Sequence, residues 1–330
     1  MGKPETSFSA GAIWRIVRGK WIVFVPYIIF LSLFVFTTIL QPKSFNLNWI
    51  GIKTDAVLTL ILVTMGQTLV LIMGGIDLSV GGIICLTNSV AALYMNNSTG
   101  SILTMSIAVL AIGAFIGAIN GLIIVKTRLQ PFIVTLVSWS VWGGVAFWVL
   151  PTDGGTPPAK FIDFLLGRII GIIPVSLIII ILAILFWLYL KNTSFGVSIF
   201  AVGSNEKAVY LNGINVDRVK IVVYSLSGLF AATAGLYRTA QVASGSPVAG
   251  NDYIMTSLAA AVIGGTSLSG GNGGIMGSIV GAFILKMIND ILIFAGVSSY
   301  WSALFQGCLL IVAVAIGSIA AMREGGEVYL

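Results

Sequence analysis

Apolar runs set the rhythm of this chain. Ten stretches are dominated by Ile, Leu, Val, Ala, Phe and Gly, at about 21–40, 55–73, 80–95, 102–125, 131–150, 168–190, 219–239, 253–268, 274–295 and 300–321. Each runs roughly 16–24 residues, and a helix needs about 20 to cross the hydrocarbon layer. Polar residues collect between the runs rather than alternating within them, whereas a membrane β-strand alternates over about 10 residues. The pattern predicts an all-α polytopic membrane protein of about ten transmembrane helices. The second, third and eighth runs are short or interrupted, which predicts broken spans.

The most telling interruption is Gly74-Gly75-Ile76-Asp77-Leu78-Ser79-Val80-Gly81-Gly82. It sets a carboxylate between two apolar runs, and an ionisable group at membrane depth marks a functional site by default. Glycine breaks at that depth are tolerated only where backbone is buried in protein or lines a cavity. Near the far end, Gly264-Gly265-Thr266-Ser267-Leu268-Ser269-Gly270-Gly271 repeats the pattern Gly-Gly-x-x-Leu-Ser-x-Gly. Glycine-interrupted segments paired between two halves predict a weak internal repeat with a transport pathway at its interface.

Composition makes the membrane reading firm. Apolar residues form 58% of the 330 and charged residues 8%, against about 25% charged in a soluble domain. Histidine is absent, which removes imidazole acid–base catalysis and histidine-held metals or haem. No metal site and no cofactor is predicted in this chain. Cys85 and Cys308 lie in apolar runs and read as small core residues. A membrane enzyme would need clustered carboxylates within a span, which the sequence lacks.

Basic residues orient the spans. With the N-terminus in the cytoplasm, the inner segments hold Lys3, Arg15, Arg18, Lys20, Lys126, Arg128, Lys191, Lys207, Arg218, Lys220 and Arg323, and the outer ones only Lys43, Lys53, Lys160, Arg168 and Arg238. The excess predicts both termini in the cytoplasm. Residues 1–20 read as a cytoplasmic amphipathic segment lying on the bilayer, without a cleavable signal. Residues 21–321 read as one transmembrane permease domain and 322–330 as a cytoplasmic tail. The net charge of +6 then reflects topology and anionic lipid, not nucleic acid.

The longest inner loop, about 191–218, contains Asn205-Glu206-Lys207-Ala208 and then Asn212-Gly213. Asparagine suits a helix N-cap and glycine a left-handed C-cap. The expectation is a short capped helix, with an apolar side of Ala208, Val209 and Leu211, docking into a partner's groove or lying as a solvated loop.

These stretches, together with Asn120-Gly121 and Gln130-Pro131-Phe132-Ile133-Val134-Thr135-Leu136, resemble the permease subunits of bacterial ABC importers for ribose, xylose, autoinducer-2 and related monosaccharides. The resemblance runs from about Asn48 to Gly317. It implies a second permease copy, identical or closely related, and a cytoplasmic ATP-binding subunit that binds ATP and Mg. It also implies a periplasmic sugar-binding protein. The sequence itself lacks a Gly-x-x-x-x-Gly-Lys-Ser/Thr phosphate loop, so ATP hydrolysis falls to a partner and the chain is a transport subunit, not an enzyme. The resemblance makes Asn205, Glu206, Lys207, Ala208, Asn212 and Gly213 the coupling helix. Ser138, Asn212, Asn272, Lys286 and Asp290 depart from the family's usual residues.

Candidate pathway residues follow from polar or aromatic character at membrane depth. Asp77 either lines the route or caps the next half-helix, with Ser79 beside it. Gln67, Asn88 and Asn120 are single amides in apolar spans, able to touch solute or to tie helices. Trp139 and Trp142 share a helical face on which a sugar ring could stack, or which packs on lipid or a neighbouring helix. Ser267 belongs to the repeated motif, and Asn289 lies one turn from Lys286. Lys286 and Asp290, four apart, read as a buried ion pair or a proton relay. The row Gly273, Gly277, Gly281 reads as close packing within the bundle ahead of a seam between copies.

The function expected is import of a monosaccharide or similar small neutral solute, driven by a partner ATPase. The alternatives are an ABC permease for branched-chain amino acids or nucleosides, and an ion-coupled secondary transporter.

Overall fold

The computed structural model describes residues 10–40, 47–169 and 171–297, with isolated positions from 301 to 311. In chain order the elements are α1 (Ala10–Leu40), α2 (Leu47–Ile72), α3 (Ser79–Tyr94), α4 (Thr99–Thr127), α5 (Pro131–Val149), α6 (Ala159–Leu166), β1 (Arg168–Ile169), β2 (Ile173–Pro174), α7 (Val175–Lys191), α8 (Ser194–Ser204), α9 (Glu206–Leu211), α10 (Val216–Val242), α11 (Asn251–Ile263) and α12 (Ile275–Phe294). Among the described residues, α2, α4, α5, α10 and α12 are long and apolar enough to cross a membrane. The α7–α8 pair, bent by 75°, makes a sixth if counted as one span. The chain is thus an all-α, multi-pass membrane protein.

Some boundaries differ from the sequence expectation. Helix α1 runs unbroken through the amphipathic segment and the first span, carrying Pro26 inside it. The sixth run does not begin as helix: Arg168–Ile169 pairs antiparallel with Ile173–Pro174, Gly171 sits at φ +72, and α7 starts at Val175. The hairpin packs Arg168 against α2, where a Cβ on Gly51 would meet the guanidinium at 3.0 Å. The tenth run and the tail fall largely outside the described residues.

Helix α10 is the hub, packed on α4, α2 and α3. Lipid gives helices no hydrophobic reason to associate, so close backbone approach through small residues carries the contact. A Cβ on Gly117 would stand 2.0 Å from the Tyr224 carbonyl oxygen, and one on Gly113 2.4 Å from that of Gly228. The α11–α12 contact uses the same device. A Cβ on Gly281 would lie 2.0 Å from the Ala260 oxygen, and one on Gly277 2.0 Å from that of Gly264. The Gly277/Gly281 row therefore packs within the bundle.

Two short helices meet inside it. A Cβ on Gly250, just before α11, would stand 2.0 Å from the carbonyl oxygen of Gly81 in the first turn of α3. Farther along α3, Ala92 touches Gly245, whose Cβ would lie 2.7 Å from that of Ala92. Gly250 also touches Ile84, and between Ile84 and Ala92 a helix rises about 12 Å, so segment 245–250 dips roughly that far into the bundle. From there α11 runs about 20 Å the other way, to the Gly264–Gly277 contact. The N-termini of α3 and α11 thus meet near mid-depth and the helices diverge toward opposite faces.

Candidate translocation site

Asp77 sits at the N-terminus of α3 with no exposed surface. Its Oδ1 accepts from the Ser79 backbone N–H at 3.0 Å and the Ser79 hydroxyl at 2.5 Å, and its Oδ2 from the Ser227 hydroxyl at 2.7 Å. The carboxylate thus caps α3, satisfying an orphan amide at the positive end of the helix dipole, and ties α3 to α10. The Asn120 amide donates to Ser79 Oγ at 2.8 Å, which brings three sequence-selected residues into one network. Asn120 also lines a cavity between α4 and α5 of about 290 Å³, with Trp142 and Ser138 on its wall. Ser138 Oγ is buried and has no hydrogen-bond partner among the described residues.

The other candidates lie apart from this network. Asn88 is a helix tie: it donates to Thr239 at 2.8 Å and accepts from the Ser246 backbone N–H at 2.6 Å. Gln67 is buried with neither amide atom partnered among the described residues. Ser267 belongs to a turn, its hydroxyl accepting from the Ser269 N–H at 3.1 Å. Trp139 donates its indole N–H to Asn251 Oδ1 at 3.2 Å, and Asn289 is half-buried on α12.

The ion pair needs correcting. Asp290 does face Lys286, at 3.7 Å, but its closer partner is Lys53 on α2, which also stands 5.6 Å over the Trp49 ring. All three charged side chains keep part of their surface exposed, so this is a shared interhelical clamp near the ends of α2 and α12, not a buried pair. The sequence reading put Lys53 in a loop and had no signal for a partner 237 residues away. A second cluster was missed for the same reason: Tyr237 donates to Asp55 at 3.0 Å, and Gln241 reaches the Asp55 carbonyl at 2.9 Å.

The two glycine motifs share their beginning. Gly74 (φ +86) and Gly265 (φ +89) both end a helix in the left-handed region, each donating to the carbonyl three residues back. The equivalence is one residue off the sequence alignment, which pairs Gly74 with Gly264. The paths then separate: residues 75–78 lead straight into α3, while 266–274 form a longer loop with Gly270, Gly271 and Gly273 at positive φ. The motifs nonetheless touch. Gly271 N–H donates to the Ile72 carbonyl at 2.8 Å, and a Cβ on Gly270 would lie 3.1 Å from the Gly74 nitrogen.

Helix α9 lies next to this junction. Asn205 Oδ1 accepts from the Ala208 N–H at 3.0 Å, and Gly213 (φ +81) follows its end, as the cap signals predict. Glu206 pairs with Lys220 of α10 at 2.8 Å, and Val209 is buried beneath. Tyr210 at 72% and Leu211 at 83% exposure project outward; of these two, only Leu211 was singled out in sequence.

The family model described as branched-chain amino acid transport system / permease component matches residues 54–314. The chain is 37% identical to the ribose import permease protein of Escherichia coli (strain K12) over 87% of its own length and 90% of that protein's. It is 37% identical to the ribose import permease protein of Bacillus subtilis (strain 168), over 88% and 90% respectively. To the fructose import permease protein of Rhizobium meliloti it is 35% identical, over 88% and 84%. No solved structure matches the chain. A match across this much of its length, on a multi-pass helical bundle, makes this chain a member of the branched-chain amino acid transport system / permease component family.

Proposed function

We propose that the chain is the transmembrane permease subunit of an ATP-driven importer for a monosaccharide or similar neutral solute. One observation carries the choice of solute: relatives matched over about nine-tenths of their length are permeases for ribose. Permeases for fructose and D-allose share 35% and 32% identity. The family description names branched-chain amino acids, so that solute is the second reading.

In this reading α9 is the coupling helix. Its exposed Tyr210 and Leu211 enter a groove of a cytoplasmic ATP-binding subunit, as an amphipathic helix does. A periplasmic binding protein delivers the sugar and a second permease copy completes the pathway. Lys126 and Arg128 lie at the end of α4, Lys191 ends α7, Lys207 is in α9, and Arg218 and Lys220 are at the start of α10; this basic excess supports a cytoplasmic position for these ends and for both termini. Ten spans in two related halves belong to the same reading, supported by helices in each of the first nine apolar runs and by the shared glycine caps. Partner hydrolysis shifts the bundle between outward- and inward-open states.

The test is uptake by proteoliposomes holding the chain with its ATP-binding and binding-protein partners. ATP-dependent accumulation of D-ribose, D-allose or D-fructose, with cysteines at 206–208 cross-linking to the ATPase, is the expected result. Accumulation by the chain alone under a pH gradient would replace this reading with an ion-coupled one. ATP-driven uptake of L-leucine but of no sugar would establish the second reading.

A further inference from the structure

We propose that Trp139, Asn251 and Asp252 form a contact site for a neutral, polyhydroxylated solute half-way along its route. The proposal rests on the importer reading and adds residues to it.

Depth is the first observation. Segment 245–250 dips beside α3, from Ala92 to Ile84 and Gly81, so Asn251 and Asp252 start α11 about 12 Å in from one side. The 13 residues of α11 then run about 20 Å to the other. In a hydrocarbon layer of about 30 Å, the pair lies near the centre.

Exposure is the second. Asn251 and Asp252 are both exposed, as is Met255 one turn on. Asp252 makes no ion pair among the described residues. Arg238, the basic residue within electrostatic reach of the same tyrosine, Tyr253, instead bonds Gln241 at 3.0 Å. An exposed carboxylate at this depth faces a water-filled space, because acyl chains do not solvate it. Asp77, equally deep, is the contrast: it is sealed and capped.

Chemistry is the third. The indole N–H of Trp139 bonds Asn251 Oδ1 at 3.2 Å, which fixes an aromatic face beside an amide. Asn251 keeps its NH₂ as a donor and Asp252 offers two acceptor oxygens. Acceptors for hydroxyl protons beside an aromatic face that packs on C–H groups match a sugar or polyol. None of the three residues offers a cation to a solute carboxylate, and Arg238, among the described residues, is engaged by Gln241. Glycines of α3 bring the parts together. A Cβ on Gly82 would stand 2.7 Å from the Trp139 carbonyl oxygen, and one on Gly81 2.5 Å from the Ile254 side chain. Helices α5 and α11 therefore close over the first turn of α3.

The experiment uses the assembled importer with Cys308→Ser as background. An Asp252→Cys variant is treated with a charged, membrane-impermeant thiosulfonate, with and without D-ribose, D-allose or D-fructose. Reaction, slowed by the sugar that is transported, is expected. No reaction would mean that the position faces lipid or protein, and a disulfide between two copies insensitive to sugar would make it a contact between copies; either overturns the site. In uptake assays, Asp252→Ala should lower kcat/KM about tenfold or more, the scale of one lost hydrogen bond to a charged group. Asp252→Asn should recover most of that, since a hydroxyl needs an acceptor and not a charge. Equal loss in both variants would indicate cation coupling, and unchanged uptake would indicate no contact; both overturn the proposal. If the unaltered importer accumulates no sugar with ATP, the importer reading fails, while the thiol reaction still decides whether position 252 faces water.

Discussion

Gly203, at the end of α8, stands backbone to backbone against Ile72, at the end of α2: a Cβ on Gly203 would lie 1.8 Å from the Ile72 carbonyl oxygen. The same oxygen accepts from Gly271 at 2.8 Å. Two residues beyond Gly203 the α9 cap begins, and beyond Ile72 comes the loop to Asp77. The contact links the start of α9 to both glycine motifs. Gly203→Ala must force these backbones apart, at about 1–3 kcal/mol of stability. The assembled Gly203→Ala importer should hydrolyse ATP but move roughly tenfold less solute per ATP, a shift of about 1.4 kcal/mol in coupling. The ratio of solute accumulated to phosphate released measures this. Gly143→Ala, which would meet nothing within 4 Å, should leave the ratio unchanged.

Leu211 and Tyr210 give a second prediction. Both are strongly exposed on α9, and Leu211→Asp should reduce recovery of the ATP-binding subunit with the purified permease. Asn205→Ala removes the helix cap, at about 1 kcal/mol, and should weaken recovery less. A complex recovered in full from the Leu211→Asp variant would show that α9 docks elsewhere.

Asp77 separates a structural carboxylate from a transporting one. Asp77→Asn keeps an acceptor for the Ser79 N–H and should cost about 1–2 kcal/mol. Asp77→Ala leaves an amide and two hydroxyls short of their partner and should cost about 3 kcal/mol or more. Thermal unfolding in detergent ranks them. Uptake retained by the Asn variant in proportion to folded protein supports the cap, whereas a folded but inactive Asn variant would show that the charge itself acts in transport.

The clamp at Asp290 predicts an order. Lys53 is its closer partner and Lys286 lies at 3.7 Å, so Lys53→Met should lower the thermal midpoint more than Lys286→Met. Each is worth about 0–2 kcal/mol in this part-exposed setting. Asp290→Asn, which leaves two lysines facing each other, should cost the most. The reverse order for the lysines would mean that the i,i+4 pair dominates.

The sequence carried what is local. Hydropathy located the helices, and Asn205 with Gly213 delimited α9, because caps are read from neighbours along the chain. Asp77 was legible for the same reason, its main partner being Ser79. What it did not carry is what the third dimension adds. Asp252 sits beside polar loop residues, so hydropathy placed it at a span end, and only the contact of Gly250 with Gly81 reveals that the loop dips to mid-depth. The Lys53–Asp290 clamp and the Tyr237–Asp55 bond join residues far apart in the chain, for which one sequence has no periodic signal. The glycine motifs were visible, but their register was off by one, since the αL residue is the first glycine at 74 and the second at 265.

The bond from Ser227 to Asp77 spans 150 residues, and this has a consequence for how the chain is made. A ribosome needs roughly 8–30 s to synthesise that length at 5–20 residues per second. Throughout that interval one oxygen of Asp77 lacks its native donor, and α3, only 16 residues long, has α4 and α5 to pack on but not yet α10. The final seating of α3, with Asp77 fully bonded, therefore has to wait for α10. The order of synthesis and the order of assembly are different in this protein, and the half-helix that begins inside the bundle is settled only after much of the chain has followed it into the membrane.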